Sequence, residues 1–339
     1  MFVALGGATA ITSPDGATWT QHALPSSHGW TAPTSNGTVL CALSNSNAAV
    51  TSPDGSNWTQ HTLPSSGFWG RPVWNGTLFC ALSTASNKAI TSPDGETWTQ
   101  YTLPASGSGG HSWSDLVWNG SVFCALSRLS TNAITSPDGA TWTLHTLPAI
   151  EDWLGKLIWN GSIFCTVGYS SNVAVTSLDG ATWAQHTLPA SGLWDNLAWS
   201  GSVFCSLGDV SGSLRAISST TGTTWTQTNL SPLSGTLDSI VGGGALFCVI
   251  RLTNAITSPD GVSWAQHTVP VSIEPREIAW SGSTFCAIQS ATDLAVTSPD
   301  GATWTQRTLP TSEVWSPLVW VSLSPIAPFW QNFRRCVEI

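Results

Sequence analysis

The stretch "SPDGATWTQ" occupies residues 13–21 and returns unchanged at residues 298–306, with near-copies beginning at Ser52, Ser92, Ser136, Ser177 and Ser258. Each part of it suits a tight turn between two strands. Proline presets φ, the aspartate accepts backbone N–H groups, glycine takes a conformation that a side chain disfavours, and the tryptophan packs inward as a large anchor. The exceptions fit, since Leu178 replaces the proline in one copy and Thr221 the aspartate in "STTGTTW" while the tryptophan stays. Asp15, Asp54, Asp94, Asp138, Asp179, Asp260 and Asp300 are therefore expected to be structural turn residues.

Aligned on that tryptophan, the chain shows Trp19, Trp58, Trp98, Trp142, Trp183, Trp225, Trp264 and Trp304, spaced 39 to 44 residues apart. Such a period belongs to propeller blades or helical solenoids. The units are dense in Val, Ile, Thr, Phe and Trp and are punctuated by turn residues, which favours strands. One unit, residues 113–148, divides into four: "LVW" ends at the Asn119-Gly120 turn, "SVFCAL" returns beside it, a polar loop leads to "NAITS", and the motif turn joins that to "TWTLHTL". The inner strands are nearly continuous in apolar residues, as in a sheet covered on both faces, and the polar fourth suits an exposed edge.

The chain enters at a second strand, "MFVALGG", and its repeats stop after an extra first strand, "VWSPLVW", ending at Trp320. The expected fold is thus all-β: a closed eight-bladed β-propeller of four-stranded antiparallel blades over residues 1–322, the C-terminal strand completing the N-terminal blade, followed by a non-repeat tail at 323–339.

The motif resembles the Asp-box, or BNR repeat turn, of sialidase-like propellers, whose pattern is Ser, any, Asp, any, Gly, any, Thr, Trp on the hairpin between a blade's third and fourth strands. The resemblance extends over nearly the whole chain to Trp320, with one departure: Asp15 is followed directly by Gly16, a turn one residue shorter. Photosystem assembly-factor-like propellers are similar as well. The resemblance implies a sialidase-like hydrolase as one activity, with an Arg cluster, a Tyr nucleophile and an Asp acid or base. Tyr101 on an outer strand and Tyr169 in a loop are the sole tyrosines, and the arginines form no equivalent set. The chain is therefore expected not to be an enzyme.

Composition narrows the partners. Charged residues make up 9% of the chain, with 19 acidic against 10 basic residues and a net charge of -9, which opposes nucleic-acid binding. No apolar run reaches the ~18 residues of a membrane span, and no signal-peptide pattern opens the sequence. Cys41, Cys80, Cys124, Cys165, Cys205, Cys248 and Cys286 share one strand-two position, where adjacent blades stand too far apart for a disulfide; Cys336 lies in the tail. His22, His61, His145, His186 and His267 fall one per blade on outer strands, too dispersed to share a metal. Neither a metal nor a cofactor is expected.

The binding candidates lie at the entry of strand one, where the loop from the preceding blade opens on the funnel. Trp30, Trp69, Trp113, Trp153, Trp194 and Trp315 stand there, read either as wedges between blades or as stacking platforms for sugar rings or apolar side chains. Nearby sits the least uniform position of the repeat: Arg71, Asp115, Asn196, Ser239 and Glu277, with Lys156 displaced by one residue. The expected function is a noncatalytic binding module, lectin-like and multivalent toward glycans, with a protein-interaction or virion-surface scaffold as the alternative. The motif tryptophans are expected to matter more for stability than the entry tryptophans.

Overall fold

The computed structural model describes residues 1–105, 113, 115–153, 156–230 and 239–323, which form strands and turns with no helix. The tail, apart from Leu323, and Cys336 lie outside the described residues. The unit read above is a four-stranded antiparallel sheet of Val117–Trp118, Phe123–Leu126, Ser130–Ser136 and Thr143–Glu151, in that order. Its register places Trp118 opposite Phe123, Phe123 opposite Ser136 and Thr135 opposite Thr143. Phe123–Leu126 is buried throughout, whereas Thr143–Glu151 alternates between covered and exposed positions, as an outer strand must when one face meets water.

The described strands fall into seven sheets, five of them four-stranded. Two depart from the unit. Trp183–Trp199 runs unbroken, pairing through its first half with Ser171–Ser177 and through its second with Phe204–Val210, so that seven strands share one sheet. Leu246–Ser258 likewise merges two strands, leaving a three-stranded sheet. In the sheet of Phe2–Leu5, Thr9–Ser13 and Thr20–Ala23, the fourth strand is Val319–Trp320, with Phe2 opposite Trp320 and Val3 opposite Val319.

The apolar core lies between successive sheets. One cluster joins Cys80, Leu82 and Leu103 of one sheet to Trp113, Phe123 and Trp142 of the next, and another joins Phe2 and Ile11 to Cys286, Ile288 and Trp315. The motif turn is the joint. Gly180, at φ 74°, sits where an added Cβ would lie 3.1 Å from Cys124 Sγ and 2.8 Å from a Thr135 methyl of the preceding sheet. Gly16 repeats this against Cys286 and Thr297, so residues at opposite ends of the chain meet through the contact used inside it. The seven described cysteines are free and buried, and burial pushes their thiols well above the usual range.

The Gly242–Gly244 run, where three other units carry "WNG", also has a packing reason. A Cβ on Gly242 would lie 2.2 Å from Trp199 O and one on Gly243 2.5 Å from the Trp280 ring, so the missing side chains make room for neighbouring sheets.

Candidate binding face

Each motif turn is held by its own polar atoms. Ser13 Oγ donates to Asp15 Oδ1 at 3.0 Å and accepts from the Gly16 N–H at 2.7 Å, while Asp15 Oδ1 accepts from the N–H groups of Ala17 and Thr18, both at 2.8 Å. The Trp19 indole closes the loop by donating to Gly16 O at 2.8 Å. Where Thr221 replaces the aspartate, the Trp225 bond to Gly222 O persists at 3.0 Å. One oxygen of the aspartate, Oδ1, is thus engaged in shaping the turn.

These bonds favour the charged carboxylate. The N–H groups of Asn57 and Ser56 pull Asp54 down to about 2, and those of Ser263 and Val262 do the same for Asp260. A carboxyl lowered on folding contributes stability that is fully present above its unfolded value near 3.8 and is lost as pH falls toward 2. The expected result is a Tm that declines between about pH 4 and 2, less steeply in the double variant Asp54→Asn, Asp260→Asn; equal slopes would show that these turns do not couple to folding.

The outer-strand histidines each bond one strand inward: His22 Nε2 to Thr12 Oγ1 at 2.9 Å, and His145 Nε2 to Thr135 Oγ1 at 2.7 Å. Burial holds both imidazoles below their usual value. Among the described residues, no three His, Cys, Asp or Glu side chains gather as a metal set.

The end opposite the motif turns carries the loops between strands two and three together with the segments arriving from the preceding sheet. Isolated bridges fix that proximity, pairing Trp30 with Ser44, Trp69 with Ser83 and Trp113 with Ser127. The entry tryptophans are here, but they are covered: Trp30, Trp69, Trp113, Trp153, Trp194 and Trp315 are 0–7% exposed. The reading as stacking platforms is corrected accordingly, because each ring is clamped between two sheets and offers no face to a ligand. Trp30 Nε1 donates to Gly7 O at 3.0 Å and Trp153 Nε1 to Ser130 O at 3.3 Å, both on the preceding sheet's turn. The motif tryptophans are covered to a similar degree, with Trp98, Trp225 and Trp304 7% and Trp58, Trp142 and Trp183 9% exposed, and Trp19 and Trp264 half-buried.

The variable position serves several ends. Arg71 donates from Nε to Thr34 Oγ1 at 3.1 Å and from Nη2 to Pro33 O at 3.0 Å, tying adjacent sheets. Lys156 Nζ reaches Glu277 Oε1 at 3.3 Å across 121 residues of sequence, past the two intervening first strands. Asp115 is exposed, Asn196 is half-buried at φ 53° in the irregular part of its long strand, and Ser239 is buried, its Oγ accepting from the Ile278 N–H at 3.3 Å.

Sequence reasoning missed what this end does expose. Phe68, Leu129, Ile150, Leu193, Leu252 and Val314 all lie at this end, Ile150, Leu193 and Leu252 within the long strands and the others in loops, with Phe68, Leu129, Ile150 and Val314 more than 60% exposed. Leu129 and Leu252 sit at φ 50° and 52°, left-handed conformations that a branched aliphatic residue adopts at a cost. Arg128 grips Asp152 with two bonds of 2.8 and 2.9 Å beside them.

No family model matches the chain, and no curated protein matches it. Solved structures do. AztD from Citrobacter koseri superposes with a TM-score of 0.64 at 13% identity, covering 94% of this chain and 96% of that one. A virginiamycin B lyase from Staphylococcus aureus gives 0.59 at 12% identity over 85% and 96%, and YCF48, solved bound to a D1 peptide, gives 0.57 at 14% over 85% and 94%. These are β-propellers, and the chain has the β-propeller fold. The expectation that it is not an enzyme is corrected by the same comparison. A lyase has this architecture, so neither the fold nor the missing sialidase residues exclude catalysis.

Proposed function

We propose that the chain is an eight-bladed Asp-box propeller spanning residues 1–322 that acts as a binding module for a protein surface, docking it on the loop end opposite the motif turns. Eight blades follow if the seven-stranded sheet counts as two units sharing Trp183–Trp199, the three-stranded sheet as one, and Val319–Trp320 as the first strand of the N-terminal blade. The observation that carries the docking face is that six of the nine exposed large apolar side chains among the described residues, Phe68, Leu129, Ile150, Leu193, Leu252 and Val314, fall on one end. Exposed apolar groups rimmed by polar residues mark interaction surfaces. The glycan reading drew on low charge, on repeated equivalent sites and on the entry tryptophans, and those rings are covered. A propeller of this fold solved with a peptide shows that the architecture accommodates such a ligand.

Selection of binders from a random peptide display library, alongside a glycan array, tests the reading. Peptides are expected to be enriched, and the triple variant Phe68→Ser, Ile150→Ser, Val314→Ser is expected to bind them at least ~10-fold more weakly with little change in Tm. Glycan binding indifferent to these substitutions, with no peptide enriched, would overturn it.

A further inference from the structure

A small cleft with room for about one water-sized group opens on the same end, beside the segment that links the last sheet to the first. Arg276, Glu277, Ser290, Trp315 and Ser316 are among the residues lining it. Two of its polar groups are engaged: Ser316 Oγ accepts from the Leu5 N–H at 3.0 Å, and Glu277 bonds Lys156 at 3.3 Å. Two others are not. Arg276 is exposed and has no ion pair or hydrogen bond among the described residues. Trp315 is 2% exposed, and its indole N–H meets no acceptor.

The contrast with equivalent positions is informative. Trp30 and Trp153 hand their indole N–H to a carbonyl of the preceding sheet's turn, whereas the corresponding turn beside Trp315, around Ser290, supplies none. Trp69 and Trp113 also lack an acceptor; Trp315 shares its cleft with the Arg276 guanidinium. Because Lys156 balances Glu277, the charge left over in the cleft is that of Arg276, a positive point on a chain with net charge -9. Glu274 and Glu313, on neighbouring segments, do not line it.

We propose that this cleft takes a carboxylate of the protein partner, an acidic side chain or a chain end, paired with Arg276 and hydrogen-bonded by Ser290 and the Trp315 indole. This rests on the reading that this end docks protein. The cleft has room for about one water-sized group, so it takes a single carboxylate oxygen rather than a whole ligand. Guanidinium and N–H donors converging on an anion give the strong, charge-assisted class of hydrogen bond. The indole nitrogen is closed to water, so the carboxylate reaches it by shifting the turn next to Ser290, where Ala291 sits at φ 61°.

The indole N–H signals of the ¹⁵N-labelled protein provide the test, with the Trp315 peak assigned by its loss in Trp315→Phe. Titrants are sodium acetate, a neutral acetylated tripeptide with a free C-terminal carboxylate, its C-terminal amide, and an amidated peptide carrying one aspartate. Carboxylate-bearing titrants are expected to move the Trp315 peak downfield and the neutral amide to leave it in place; whichever peptide acts tenfold more strongly identifies chain end or side chain. The surface variant Arg276→Gln is expected to weaken the response at least tenfold with Tm unchanged. A peak that stays still under every carboxylate, moves equally with the amide, or ignores Arg276→Gln overturns the carboxylate site. The docking reading is judged separately by the Phe68, Ile150 and Val314 variant.

Discussion

Trp153→Ala is expected to cost about 3–5 kcal/mol of stability, the usual range for emptying a buried aromatic site, and more than Trp142→Ala. The Trp153 ring is fully covered in a cluster joining Leu126 and Leu147 of one sheet to Leu157 and Phe164 of the next, and its N–H is bonded to Ser130 O. Truncation therefore opens a cavity between sheets and orphans an acceptor. Trp142 retains 9% exposure, and its N–H bonds to Gly139 O within its own turn, so its loss is more local. Urea unfolding of these two variants, together with Trp194→Ala and Trp183→Ala, checks the ranking. Entry variants that lose less than motif variants would show that the entry rings are not the main wedges.

Deletion of residues 317–339 is expected to be the more damaging change. It removes Val319–Trp320, the partner of Phe2–Leu5, along with the Trp320 ring that meets Phe2 edge-on at 4.8 Å. Leu318, Val319 and Val321 are buried with it, and losing apolar burial at about 1.5–3 kcal/mol per side chain consumes most of the ~5–15 kcal/mol by which a domain is stable. The exposed edge of Phe2–Leu5 also becomes a template for pairing with another chain. Calorimetry and light scattering of the truncated protein are expected to show a broad transition well below that of the full chain, together with aggregation. Deletion of residues 324–339 alone is the reference and is expected to change Tm little. A truncation at 317 that melts like this reference would show that the C-terminal strand does not hold the N-terminal sheet.

The four-stranded units and their turns were legible because their chemistry is local. Asp15 finds its partners two and three residues away, and Phe123 pairs with a residue across a short hairpin, so neighbouring letters suffice. The entry tryptophans stayed open between wedge and platform for the opposite reason. Whether the Trp30 ring is open or covered depends on Gly7, 23 residues earlier in a different sheet, and a period of about forty residues says nothing of how closely two sheets approach. The bond between Lys156 and Glu277 spans 121 residues and has no counterpart in the repeat. One signal was available. Phe68, Leu193 and Val314 each directly precede an entry tryptophan, and adjacent residues of an extended segment face opposite ways, so an indole turned inward sends its neighbour out.

The Met1 ammonium donates to Val321 O at 2.7 Å, and Gly16 meets Cys286 much as Gly180 meets Cys124. Val319–Trp320 thus shares a sheet with Phe2–Leu5, and that sheet meets its neighbour through the same turn contact found inside the chain. A circular permutant that joins residue 322 to residue 1 and opens instead at an exposed loop would keep every contact between sheets.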